Sequence, residues 1–522
     1  MPHTPLATLC PRPTATRWTR LAWLMLCVGF LGLQACGGGG SNPDPISGGP
    51  TPAPAPAPSP TPAPAPSPTP SPAPAPAPAP TPAPAPTPPP SAVVWVGPAS
   101  GAPAGATVRA SLQAVPWATL PAGALIVVGP GAQVGPVTIT SQGTAAQPIE
   151  VRAADASNPP VVNSSFDFQG AAHVKLKGFV VSGSPWGAVV IRRGSHHITI
   201  EGNTLKQSYM GVNISDGADE GLQILDNLIE DNETHGIAIA LENTAQAATS
   251  RVAGNTIRRN GHHGIEIQTS HYVIERNVVS ESGRGIGGAS GIHLFSRNAA
   301  ENTGDNNVIR YNFSFNNVDQ LLHWDGNGIQ ADQWCDGNVI AYNVAWGNDG
   351  AGLILFDAVN NVAHNNTLIG NAQDLGRAAN ATGDLILSSS AAGAFRNANN
   401  RVYNNLIVPL RSGAAGLAID AATAANANSI GPNLWAPHPE ATAVVRKGSS
   451  TARSANEVDA LLGSSGNGVE ALAFSDLSAP LSHGLKLTRK PTRSGLTPTG
   501  NDLQGTAPQT GYSFFGAYYT AP

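Results

Sequence analysis

Short apolar phrases punctuated by asparagine recur along the chain. They read EGNTL at Glu201–Leu205, DNLI at Asp226–Ile229, GNTI at Gly254–Ile257, RNVV at Arg276–Val279 and YNFS at Tyr311–Ser314. They continue as YNVA at Tyr342–Ala345, NNTL at Asn365–Leu368, NNLI at Asn404–Ile407 and PNLW at Pro432–Trp435. The asparagines Asn203, Asn227, Asn255, Asn277, Asn312, Asn343, Asn366, Asn405 and Asn433 lie 22 to 39 residues apart, a spacing typical of solenoid repeats. Most repeats carry a second apolar phrase: GVNI, GIAI, GIEI, GIHL, GIQA or GLIL. Two or three short strands per repeat, without helical periodicity, predict the coils of a parallel β-helix. One strand ends at the asparagine, a second follows it, and the Gly-Ile phrase is a third. Asparagine tolerates the left-handed backbone of a sharp bend, so these residues are expected to stack into an internal amide ladder.

Strand side chains alternate, and neighbouring strands lie about 4.8 Å apart. In Gly264–Gln268 the isoleucines point inward, and Glu266 and Gln268 point out. The outward residues of successive coils then form columns. The first is expected to run Asn213, Ala238, Glu266, His293, Gln330, Ile354, and the second Ser215, Ala240, Gln268, Phe295, Asp332, Phe356. A third adds Glu242, Ser270, Arg297 and Trp334. The face is bland at its ends and rich in chemistry in the middle. The same middle coils are oversized, with extra residues around Glu281–Ser290, Asn298–Asp305 and Val318–Asn327. Insertions on one side of a solenoid usually build its binding surface.

Composition divides the chain further. Residues 1–35 read as a secretory signal, with Arg12, Arg17 and Arg20 before the apolar stretch Leu21–Leu33. Leu33-Gln34-Ala35-Cys36 resembles a bacterial lipobox, which makes Cys36 the expected lipidation site. Residues 36–91 are the lipidated N-terminus and a Pro/Ala-rich linker. Proline fixes φ and supplies no N–H, so this stretch predicts a polyproline spacer of about 3 Å per residue. Residues 92–172 are expected to form the N-terminal cap and first coils, 173–410 the central coils, and 411–522 the last coils and an irregular C-terminal cap. The predicted address is that of an exported lipoprotein at the outer membrane or cell surface, touching membrane through its lipid only. Net charge is −5, and losing the three signal arginines makes it −8. With no basic run, nucleic acid is not an expected partner, and a monomer is expected. Cys335 is the one cysteine beyond Cys36 and reads as a small buried hydrophobe.

Three segments carry a resemblance to a known superfamily. Thr119–Gly131 with Gly143–Ala153, the NN-x-I-x-x-N and Gly-Ile phrases over about 175–408, and the ending GYSFFGAYYT at Gly511–Thr520 resemble pectate-lyase-like proteins. The resemblance implies an all-β, single-stranded right-handed parallel β-helix with irregular terminal caps. It implies carbohydrate-active chemistry without choosing among lyases, hydrolases, epimerases and non-catalytic adhesins. No lysine occupies the Gly-Ile strands, and the DPHD signature of mannuronan epimerases and the paired-Asp and GHG signatures of polygalacturonases are absent. No single family's catalytic set transfers.

The candidate site therefore rests on residue chemistry. His323–Trp334 brings carboxylates, an imidazole and two indoles to one coil. Glu266, His293, Asp332 and Asp325 are the candidate acids, bases or nucleophiles. His263, Gln268, Arg284, Arg297, His323, Trp324, Gln330 and Trp334 are candidate substrate contacts, arginine for a carboxylate and the indoles for sugar faces. Two mechanisms fit. In β-elimination, Arg284 or Arg297 neutralises a uronate while His293 or His263 takes the proton. In hydrolysis, Glu266 and Asp332 act as a pair about 9.6 Å apart along the axis, near the spacing of inverting enzymes. Asp325, Asp332 and Asp336 offer oxygen ligands for calcium, although they fit no recognised loop pattern. The leading expectation is a surface-anchored polysaccharide-processing enzyme, and the alternative is a non-catalytic glycan-binding or adhesive protein.

Overall fold

A computed structural model describes residues 89–522 except 133, 218–219, 241–249, 302, 377–381, 391–395 and 439–442. The signal, Cys36, the linker as far as residue 88, and Glu242 lie outside the described residues. Among those described, the chain winds as a parallel β-helix with three sheets of 14, 13 and 12 strands. One coil shows the plan. Gln223–Leu225 lies in the first sheet, Leu228–Glu230 in the second and Ile237–Ala240 in the third; Arg251–Ala253 then returns to the first. Named strands pair in parallel from coil to coil, except that Val445–Lys447 and Ser450–Ala452 pair antiparallel. The inward isoleucines, valines and leucines form one continuous core, including Ile200, Ile224, Ile274, Ile309 and Ile340 of the first sheet.

The predicted ladder is present. The Oδ1 of Asn277 accepts from both the backbone N (3.0 Å) and the Nδ2 (2.9 Å) of Asn255, and Asn277 repeats the pattern on Asn312. The series runs unbroken from Asn203 to Asn433, all buried. The bend geometry corrects one expectation. The left-handed residue is the one before each ladder asparagine from Asn203 to Asn405, such as Asp226 (φ 53°), Arg276 (φ 56°) or Tyr311 (φ 59°). The ladder asparagine stays out of that region, so its amide can bridge coils.

Two further ladders occupy the other bends. Asn232 bonds to Asn260, and further along Asn317, Asn348 and Asn371 lead to Asp384. On the third bend Asn307, Asn338, Asn361, Asn400 and Asn428 do the same. Each corner of the helix thus satisfies its buried polar backbone with side-chain amides.

The ends differ from expectation. Helix Ala455–Leu462, closed by a Ser454–Glu457 capping box and left-handed Gly463, puts Val458 into the main core. The GYSFFGAYYT ending adds no strand to the coils. Residues 485–519 instead run back along the second sheet, where Leu485, Leu503, Phe515 and Tyr518 cover Val344, Ile369, Leu406 and Leu434. Asn365 and Asn404 donate to Phe514 O and Leu496 O, holding this strap to the bends.

Candidate functional site

The third sheet carries the candidate chemistry, and its register reproduces the first predicted column. Asn213 pairs with Ala238, Ala238 with Glu266, Glu266 with His293, His293 with Gln330, and Gln330 with Ile354. The second column also holds: Phe295 N donates to Ile267 O and Asp332 N to Leu294 O, which continues the ladder beyond the strand ends. The third column does not form. The chain turns after Gln268, Ser270 is buried and takes a bond from Asp305 N, and Trp334 sits in a left-handed turn (φ 58°).

A further row stands beside these columns. The residue before each Gly-Ile glycine is linked to its counterpart on the next coil through that glycine, giving the row His235, His263, Ser290, Asn327. Each of the first three touches the outward strand residue one coil on. His235 Nε2 lies 3.2 Å from Glu266 Oε2, the rings of His263 and His293 stack at 4.2 Å, and Ser290 Oγ lies 2.6 Å from Gln330 Oε1. His293 then reaches forward, its Nε2 3.1 Å from Asp332 Oδ2. Gln268 bonds Glu266 at 2.8 Å, and Asn327 bonds both Gln330 and Asp325. The result is one connected acid, amide and imidazole network across four coils.

Its electrostatics separate the histidines. Burial and the neighbouring imidazoles hold His263 well below the ordinary histidine value. Its Nδ1 accepts from Ser290 N at 2.9 Å, so its lone pair is committed and it is not free to act as the base. Burial and His235 likewise lower His262, to about 4. His293 goes the other way. Burial opposes its charge, but the hydrogen bond and charge of Asp332, with Glu266 and Asp325, outweigh it and raise its pKa. Glu266 is lowered because His235 and His293 outweigh its burial. With Nε2 donating to Asp332, a neutral His293 keeps its lone pair on Nδ1, a buried atom with no hydrogen-bond partner.

Other predicted contacts are placed differently. Arg284 pairs with Glu281 at 3.0 Å and Arg297 with Glu301 at 2.9 Å, each on its own exposed loop. His323 Nδ1 meets Asp374 at 2.7 Å, away from His293. Trp324 is 66% exposed beside exposed Leu321, Leu322 and Ile286. The calcium trio is not assembled: Asp336 binds Arg396 and Val359 N, Asp332 binds His293, and Asp325 accepts from Asn327. Among the described residues, the grouping here with ligand atoms within 4.8 Å is His263, Glu266 and His293. That donor set is mostly nitrogen and does not suit calcium, which takes six to eight oxygens. Cys335 is fully buried, as read from the sequence.

Ser290 and Asp319 were not singled out by the sequence. Asp319, itself buried, takes the backbone N–H groups of Leu322, Trp324 and Asp325 and shapes the loop that carries Asp325. Ser290 shares its place before Gly-Ile with His235 and His263, and that position was the available signal.

The sequence matches the family described as right handed beta helix region over residues 164–338 and 246–431, together more than half of the chain. The chain belongs to that family, in keeping with the superfamily resemblance read from its repeats. No curated protein matches the sequence. Solved structures similar to it include the A-module of the Azotobacter vinelandii mannuronan C-5 epimerase AlgE6, at 14% identity and TM-score 0.47, covering 67% of this chain and 92% of that one. The PL6 family alginate lyase AlyGC is similar at 16% identity and TM-score 0.43, over 76% and 55% of the two chains. The GH136 lacto-N-biosidase from Eubacterium ramulus is similar at 13% identity and TM-score 0.38, over 70% and 65%.

Proposed function

We propose that this protein cleaves polysaccharide at the middle coils, with His293 transferring the proton, Asp332 orienting it and Glu266 as the second acidic group. The observation that carries this reading is the His293–Asp332 pair: a buried imidazole with Nε2 on a carboxylate and an unpartnered Nδ1. A carboxylate so placed fixes the tautomer and stabilises the imidazolium formed on proton uptake. Hydrolysis is favoured over β-elimination, because the two arginines suggested for binding a uronate are paired with glutamates of their own loops. A panel of plant, algal and bacterial polysaccharides tests this. New reducing ends without the unsaturated-uronate chromophore are expected. The chromophore would identify elimination instead, and binding with neither product would leave the adhesive reading.

One observation favours that second, binding-only reading. A cleft of about 340 Å³ lies on the same sheet several coils earlier, lined by Asp167, Arg192, Asn213 and Trp186, the last 72% exposed. We further propose that a lipid on Cys36 tethers the protein to a bacterial outer membrane, with the proline-rich segment as spacer. Cys36→Ser is expected to move the protein into the soluble fraction, and unchanged fractionation argues against the tether.

A further inference from the structure

A second group of imidazoles sits on the first sheet, apart from the candidate site. His173 lies in strand Ala172–Lys177, and His196 and His197 open strand His196–Glu201. The two strands pair in parallel with His196 opposite Ala172, which sets His197 beside His173 on the next coil. The His173 and His197 rings stack at 4.4 Å, and His196 stands edge-on to both, at 5.6 and 5.2 Å. The Nδ1 atoms of His196 and His197 are 2.9 Å apart. One nitrogen from each of the three rings lies within 4.8 Å of the others. Ligand nitrogens around a tetrahedral zinc ion lie about 3.4 Å apart, given bonds of about 2.0–2.1 Å. The one short separation, 2.9 Å, lies below that value and the others fall within the 4.8 Å limit, so ring rotation is needed to seat an ion.

Three features suit a metal. Among the described residues, these rings have no partner but one another: no carboxylate or carbonyl competes for their nitrogens. All three rings are partly exposed, so an ion can reach their nitrogens from solvent. The next coil has glycine at the place of His197. A Cβ on Gly221 would come within 2.6 Å of the His197 ring, so a larger residue there would displace it.

We propose that His173, His196 and His197 bind a divalent transition ion of the zinc or copper class through three imidazole nitrogens. Imidazole suits these ions, and the half-buried rings leave a fourth position facing solvent. The site is independent of the proposed glycan chemistry and lies on a different sheet.

Calorimetric titration of the full chain in detergent with zinc chloride at pH 7.5 tests it. His173 and His197 both have positive φ, 50° and 55°, so His173→Gly and His197→Gly remove a ligand where glycine is the easiest residue for the backbone. Each variant is expected to keep the wild-type circular dichroism spectrum and to bind zinc on the order of 100-fold more weakly. Cobalt bound to the wild type should show the visible bands of a tetrahedral site, lost in both variants. Absence of zinc uptake by the wild type overturns the proposal. So does uptake that survives both glycine substitutions and disappears in His293→Gln, which would place the ion at the other cluster.

Discussion

Asn277 shows at single-residue scale why the repeats are punctuated as they are. Its amide accepts two bonds from Asn255 and donates to Val252 O and Asn312, all out of reach of water. Asn277→Ala strands several buried partners at once. A cost of about 2–4 kcal/mol is expected, read as a lowered midpoint in chemical unfolding; a cost under about 0.5 kcal/mol would mean that the ladder is idle. Asp384 is the exception that closes the second ladder. Its Oδ1 accepts from Asn371, its Oδ2 has no partner, and burial raises its pKa to about 7 despite those bonds. A carboxyl raised on folding holds its proton in the native state. Stability therefore falls as pH rises from the ordinary 3.8 towards 7. Asp384→Asn removes that dependence, so the variant should gain on the wild type by a few kcal/mol between pH 4 and pH 8. A constant difference across that range would contradict the assignment.

The element that matters most is the third sheet, where residues one coil apart meet diagonally. Its two outward columns were legible from alternation alone, because a parallel register repeats faithfully from coil to coil. The diagonal from His235 to Glu266 and from His263 to His293 was not, since it joins a turn residue to a strand residue 30 or so positions later. Arg284 and Arg297 were misplaced for a similar reason: they lie in irregular insertions, where a guanidinium takes the nearest carboxylate of its own loop. The second ladder is harder to read from the sequence because serines interrupt its asparagines, as Ser208 and Ser282 do on that bend.

The histidine cluster also sets a pH dependence. His235, His262 and His263 are lowered by burial and must gain protons on unfolding, so their contribution is lost as pH falls from about 6.5. For His262 the loss runs to about pH 4. His293 is raised and contributes oppositely: its share is complete below about pH 6.5 and is lost as pH climbs through its folded value. Melting curves between pH 7 and 4 should show a decline that His262→Gln makes shallower. An equal slope in the variant would remove His262 from this account.

The molecule as a whole is a scaffold whose length supplies a face and whose middle supplies the chemistry. The core and the three bends run through every coil, while the acid–imidazole network occupies the middle coils, two of which carry the insertions around Glu281–Ser290 and Val318–Asn327. The strap of residues 485–519 covers the second sheet and leaves the third uncovered by it. Its path was hidden in the sequence because the aromatic-rich ending resembles a strand, and only burial against Val344, Ile369 and Leu406 shows it to be a cover. The most direct measurement is turnover of Asp332→Asn and His293→Ala on the polysaccharide the panel identifies, with Arg284→Ala as the loop comparison. The account predicts a loss of about 10² or more in kcat for the first two and near wild-type turnover for the third. Wild-type turnover in Asp332→Asn and His293→Ala would contradict it and move the chemistry off this face.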